Sequence, residues 1–88
     1  MNDTASIGAI VVTVLSEVLK ESPGDLRALP VLAAHEWDSV ASLEVLSRLE
    51  SRFAVTLDLR AYHAARTFQD LTELVATAVA ARQTADRR

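Results

Sequence analysis

The sequence predicts a compact all-α domain, and three observations carry that expectation. Apolar residues recur at helical spacing in three separate segments. Only two glycines and two prolines interrupt 88 residues, too few turn formers for a many-stranded sheet. Half of the residues are apolar, which is too many for a chain that stays disordered.

The first helix is the clearest segment. Ile7, Ile10, Val11, Val14, Leu15, Val18 and Leu19 form one stripe, with Thr13, Ser16, Glu17 and Lys20 outward. It is expected to stop at Glu21-Ser22-Pro23-Gly24, because proline disfavours helical geometry in the residue before it and glycine terminates helices. From there to Trp37 the chain reads as a long irregular loop, and such loops are often functional. Its apolar residues Leu26, Leu29, Val31 and Leu32 would pin it over the open end of the helices, since water would otherwise meet them.

A second helix is expected over residues 39 to 53, capped by Asp38. Val40, Leu43, Leu46, Leu49 and Phe53 mark its buried side, and Glu44, Arg48, Ser51 and Arg52 face solvent. Val55, Leu57 and Leu59 then alternate with Thr56 and Asp58, as in an extended connector with one face inward. Residues 60 to 65 form one short helical turn. Thr67 caps a last helix, with Asp70 completing a capping-box-like arrangement and Phe68, Leu71, Leu74, Val75, Ala78 and Val79 inward. One domain over residues 1 to 82 and a frayed tail over 83 to 88 follow.

Composition narrows the function classes. Cysteine is absent, so neither disulfides nor thiolate metal ligands support the fold. No apolar run approaches the roughly 20 residues that span a bilayer, and no basic cluster precedes an apolar stretch at the start. A cytoplasmic, membrane-free protein is expected. The net charge is −3, and Arg82, Arg87 and Arg88 are concentrated in the tail, so the body is more acidic than the total. Nucleic acid is therefore not an expected partner, whereas basic docking surfaces are.

The informative stretch is Trp37-Asp38-Ser39-Val40, where the long loop delivers a serine to the first turn of a helix. Unpaired N–H groups and the positive end of the helix dipole favour a negative group there by about 0.3 to 1 kcal/mol when exposed. A phosphodiester on Ser39 would gain that stabilisation, while Asp38 caps the helix and is placed to orient the hydroxyl or a metal-bound phosphate donor during modification.

Trp37-Asp38-Ser39-Val40, followed by Leu43-Glu44, Leu46, Leu49-Glu50, Phe53, Val55-Thr56-Leu57-Asp58 and Thr67-Phe68-Gln69-Asp70-Leu71, resembles an acyl carrier protein over most of the domain. The resemblance implies a four-helix bundle with a short third helix and a long loop between helices one and two. It implies 4'-phosphopantetheine, taken from coenzyme A by a phosphopantetheinyl transferase, as a covalent cofactor at Ser39, flanked by Asp38 and Val40. It also implies a docking surface on the second helix, here Val40, Glu44 and Arg48. The expected partners are that transferase, an acyltransferase or ligase that loads the cargo, and synthase or downstream acyl-transfer enzymes, visited by a monomeric carrier that is not itself an enzyme.

Two positions depart from the family pattern. Val40 replaces the larger aliphatic usual after the serine, and Ala54 replaces the glycine usual after the helix-ending Phe, so a different cap or an altered connector is expected there. Glu44 and Glu50 are balanced by Arg48 and Arg52, whereas carriers of primary fatty acid synthesis are usually strongly acidic on this face. That balance points to a specialised pathway of polyketide or antibiotic type. Paired glycines before the serine, usual in peptidyl carrier domains, are missing, although a free-standing aminoacyl or peptidyl carrier remains an alternative.

Blander readings compete. Ser39 alone is an ordinary first-turn residue, and an unmodified helical adaptor would need nothing more. Trp37 is read as an anchor of the loop rather than a cargo contact. His35, Asp38, Ser39 and His63 supply the residue types of a hydrolytic triad, and His35, Glu36 and Asp38 those of a metal site. Neither comes with a nucleophile elbow or a His-Glu-x-x-His spacing. Small side chains at Ala61, Ala64 and Ala65 are expected to leave cargo space between the second helix and the short third one.

Overall fold

The computed structural model describes the backbone of residues 4 to 86 and the side chains of residues 5 to 82. The helices are α1 (Thr4–Leu19), α2 (Pro23–Ala28), α3 (Ser39–Phe53), α4 (Leu59–Ala64) and α5 (Phe68–Asp86), with a single 3-10 turn at Leu32–Ala34. The chain is an all-α bundle of the expected kind. α1 lies at its centre and packs against both α5 and α3.

That central place explains why α1 buries more than one stripe. Val12 joins Ile7, Val11, Val14, Leu15 and Leu19 in the core, while Ile10 and Val18 are only half-buried. A helix with neighbours on two sides needs an apolar arc wider than a single seam. Gly8 faces Thr72 of α5, where an added Cβ would meet the threonine methyl at 3.5 Å. Thr72 is buried, and its hydroxyl donates to the Phe68 carbonyl, so no polar group is left bare at this crossing.

In α3 the expected buried side is corrected. Val45, Leu46 and Leu49 are core, but Val40 is 75% and Leu43 56% exposed. At about 100° per residue, Val40 stands nine residues from Leu49 and therefore on the opposite side of the helix. A chain of spacings of three drifts round a helix, and the expectation followed that drift off the core.

The loop after α1 is more ordered than expected. Pro23 opens α2 instead of ending α1, with the Ser22 hydroxyl accepting from Asp25 N–H at 3.1 Å as the cap. Proline is suited to a first helical position, where its missing N–H would have had no partner. Leu26 and Leu32 pin the segment to the core as expected, but Leu29 and Val31 remain exposed. Its far end is tied to the chain ahead of α5: Leu32 N–H donates to Arg66 O at 2.8 Å, Phe68 N–H to Pro30 O at 3.1 Å, and Val31 pairs with Thr67 in an isolated antiparallel bridge.

Two helices end on residues in the left-handed region, and neither is glycine: Lys20 after α1 (φ 58°) and Ala54 after α3 (φ 54°). Each end closes with the same long backbone bond, Glu21 N–H to Ser16 O at 3.2 Å and Val55 N–H to Glu50 O at 3.1 Å. Ala54 therefore does not bring a different cap. It adopts the glycine geometry and bears the Cβ penalty.

The connector from Ala54 to Asp58 is packed and not part of a sheet, with Leu57 buried. Its alternation ends one residue early, because Leu59 is the exposed first residue of α4. Glu50 is not a free surface charge, since its carboxylate accepts Leu57 N–H at 2.9 Å. Thr67 and Asp70 form the expected capping box: Asp70 N–H donates to the threonine hydroxyl, and the carboxylate accepts from Thr67 and Arg66 N–H. α5 continues past Gln83 to Asp86, while the side chains of the expected tail and residues 87 and 88 lie outside the described residues.

Candidate functional site at the start of α3

The loop that reaches α3 is held by His35. Its Nδ1 lies 2.7 Å from a Glu21 carboxylate oxygen and its Nε2 2.7 Å from the Leu29 carbonyl, with the side chain only 3% exposed. Both partners are acceptors, so the doubly protonated ring satisfies both contacts. The Leu29 carbonyl is the main cause that raises the His35 pKa; burial opposes it, and Glu21 and the charge of Asp25 add to the rise. The ring thus joins the ends of α1 and α2 to the segment that delivers the serine.

Two residues on, Trp37 is half-buried against the core and donates its backbone N–H to His35 O at 2.8 Å. Asp38 follows in extended geometry as the N-cap of α3, its Oδ1 accepting Ala41 N–H at 2.8 Å while its own carbonyl accepts Ser42 N–H. Ser39 is the first residue of α3 and is exposed. The backbone N–H groups of Ser39 and Val40 stand at the positive end of a helix of 15 residues.

One wall beside Ser39 is aromatic. Tyr62 of α4 is buried, and its hydroxyl donates to Ser42 O at 2.6 Å. Burial pushes its pKa up to about 12, opposed by hydrogen bonding with the Ser42 side chain and the Leu46 backbone. Trp37 is tilted against the Tyr62 ring at 6.4 Å, and His63 meets it edge-on at 5.7 Å. Trp37, Asp38, Ser39, Ser42, Leu43 and His63 line an open groove of about 430 Å³. Trp37 anchors the loop, as expected, and borders this groove as well.

Val40 and Glu44 border a second hollow on the far side of the serine, with Lys20 and Glu36 across it. Arg48 is not a free cation: it pairs with Glu44 at 2.8 Å and reaches Glu17 of α1 at 3.4 Å. Half-exposed pairs of this kind contribute at most about 1 kcal/mol. Ala61, Ala64 and Ala65 do not make the expected space beside α3. They line a groove toward α5 with Asp70, Glu73, Leu74 and Thr77, in which neither Ser39 nor any other α3 residue takes part.

A family model described as "Phosphopantetheine attachment site" matches residues 9–75. This span holds Ser39, its groove and most of the bundle. The chain belongs to that family. In comparisons with curated proteins and with solved structures, nothing matches.

Phosphopantetheine attachment domains are non-catalytic carriers of the acyl-carrier type, and their cofactor is covalent 4'-phosphopantetheine. The residues present fit that group. An exposed hydroxyl at a helix N-terminus suits a phosphodiester, and an open groove begins at the same residue.

The hydrolytic and metal constellations do not assemble as such. Both ring nitrogens of His35 are engaged away from Ser39; of the two histidines only His63 shares the groove with Ser39 and Asp38, and Asp38 Oδ1 accepts Ala41 N–H as the helix cap. Among the described residues, no group of three or more His, Cys, Asp or Glu side chains could hold a metal ion. No helix among them is long and apolar enough to cross a membrane.

The His35 clasp and the Tyr62 bond to Ser42 do not follow from the sequence pattern. A histidine two residues before an aromatic loop anchor carries no periodic signal. Tyr62 offers a weak one, since a buried tyrosine hydroxyl needs a partner and a short helix leaves few choices.

Proposed function

We propose that this chain is a discrete acyl carrier protein whose arm is attached at Ser39. The observation that carries the reading is the placement of Ser39: an exposed hydroxyl on the first residue of α3, behind the Asp38 cap. Any group joined to that oxygen starts at the positive end of the helix, where a phosphodiester is stabilised. Asp38 uses one carboxylate oxygen for the cap, and the other is placed to orient the Ser39 hydroxyl, or a metal-bound phosphate donor, within a phosphopantetheinyl transferase.

In that reaction the serine oxygen forms a new bond to the β-phosphorus of coenzyme A. The pyrophosphate bond breaks, adenosine 3',5'-bisphosphate leaves, and the hydroxyl proton passes to the transferase. When attached, the arm supplies a terminal thiol on which an acyl or aminoacyl group is held as a thioester. The chain's own part is recognition and tethering, which raises the effective concentration of cargo at each partner's site.

Docking would use the exposed side of α3. Val40 and Leu43 give apolar contact next to the attachment point, and Glu44 and Arg48 give polar contact one turn further on. The patch is small, as suits a shuttle that must leave each partner quickly. Its partners would be the transferase, an acyltransferase or ligase that loads the cargo, and a synthase or other acyl-transfer enzyme. The charge-paired surface, in place of a uniformly acidic one, supports a dedicated carrier of a polyketide or antibiotic type pathway. The carrier works as a cytoplasmic monomer, with its domain over residues 1 to 82.

Incubation with coenzyme A and a broad-specificity phosphopantetheinyl transferase, followed by intact-mass measurement, tests the proposal. One arm is added to the natural chain and none to Ser39→Ala. A natural chain left bare would favour an unmodified helical adaptor. The thioester mass recovered from the native host separates an acyl from an aminoacyl cargo.

A further inference from the structure

His63 sits where a group on Ser39 begins. Both residues line the same groove, together with Trp37, Ser42 and Leu43. Tyr62 contacts three of these lining residues: its hydroxyl is bonded to Ser42 O, its ring is tilted against Trp37 and the His63 imidazole meets it edge-on. Among the described residues, no hydrogen bond engages the His63 ring nitrogens, and the residue is exposed. The groove, about 430 Å³, is within the roughly 300 to 1,000 Å³ of small-ligand clefts.

We propose that His63 is a positioning residue for the arm, donating a hydrogen bond from its imidazole to the phosphodiester and so directing the arm's first segment along the groove between α3 and α4. The inference rests on attachment at Ser39. The occupant is named by continuity, because the residue that bears the arm is itself part of the groove wall. The chemistry matches along its length. The phosphodiester is an anion that accepts hydrogen bonds, imidazole always has an N–H to donate, and the branched aliphatic carbons that follow can lie against Leu43 and Trp37. The groove between α4 and α5, lined by Ala61, Ala64 and Ala65, cannot take this first segment, because Ser39 does not border it.

The test compares the apo and arm-bearing chain by NMR, with intact mass recording how much arm is present. His35 is an internal reference, since both of its ring nitrogens are held elsewhere. Attachment is expected to shift the His63 ring signals well beyond those of His35 and to bring arm methyl protons within contact distance of Leu43 and Trp37. His63→Phe keeps an aromatic edge on Tyr62 without a donor, and its arm contacts should be lost. His63→Gln restores a donor, and the contacts should return in part.

If the arm is attached and the His63 ring signals move no more than those of His35, the inference is overturned while the carrier reading stands. Retention of the natural chain's arm contacts in His63→Phe would overturn it equally. If no arm attaches, the carrier reading fails first and takes this inference with it.

Discussion

The Tyr62 hydroxyl donates to the Ser42 carbonyl at 2.6 Å, fastening α4 to α3 three residues beyond Ser39. The bond holds Ser42, a residue of the groove wall, and the Tyr62 ring also meets Trp37 and His63 of the same wall. Tyr62→Phe keeps the ring and removes only the donor. A loss of about 1 kcal/mol in urea unfolding is expected, the usual worth of one such hydrogen bond. NMR shifts at Ser42 and Trp37 should change more than those in the distant half of α5.

The His35 clasp predicts a pH dependence with a definite sign. The ring's pKa is raised in the folded state, first by the Leu29 carbonyl and then by Glu21, with Asp25 adding its charge. A raised pKa means that the folded state holds the proton more tightly than the unfolded chain. The stabilisation is therefore fully present below the ordinary histidine value of about 6.5 and is lost as pH rises through the folded value. His35→Gln should lower Tm most in mildly acidic buffer, and its difference from the natural chain should shrink toward alkaline pH. A difference that grew with pH would contradict the doubly protonated clasp.

Ala54 and Lys20 occupy the left-handed region that glycine adopts without strain. Ala54→Gly and Lys20→Gly should each stabilise the domain by up to about 1 kcal/mol, less what glycine adds to unfolded-chain entropy. The two ends lie at different helices and close with separate bonds, so their gains should add. Denaturant midpoints of the two single variants and the double variant measure this.

Asp38 has two separable roles. As the N-cap of α3 it accepts Ala41 N–H, so Asp38→Ala should cost about 1 kcal/mol, whereas Asp38→Asn keeps a capping oxygen and most of the stability. If the carboxylate also orients the serine or a metal-bound donor during modification, both variants will be modified slowly. Comparing the rate of arm addition with the denaturant midpoint separates the two roles: a rate that falls only in Asp38→Ala assigns Asp38 to capping alone.

Val40 is 75% exposed on the side of α3 away from the core. Val40→Ala should leave unfolding nearly unchanged, within about 0.5 kcal/mol, while weakening association with partner enzymes. Val45→Ala is the contrast: it removes a fully buried side chain and should destabilise the domain clearly with no specific effect on docking. Binding measured alongside denaturant unfolding distinguishes these outcomes.

The local signals are strong enough to be read in the chain alone. The periodicity of α1, the Asp38 cap, the Thr67–Asp70 capping box and the serine at a helix start all depend on residues within a few positions of one another. The carrier family rests on a spread of such local motifs at fixed separations, and residues 9–75 match it.

What the chain alone could not decide was direction and company. Which side of α3 is inside depends on where α1 lies, and so Val45 rather than Val40 or Leu43 reaches the core. Whether residues 23 to 28 become a helix depends on Leu26 finding a buried place. The groove beside Ser39 needs His63 of α4 brought beside α3, where Tyr62 bonds to Ser42, and the His35 clasp needs the ends of α1 and α2 to converge on one ring. Short-range hydrogen bonding and helical repeat leave a record in neighbouring residues. Contacts between distant segments arise only when the packed bundle brings them together, so only the tertiary structure decides them.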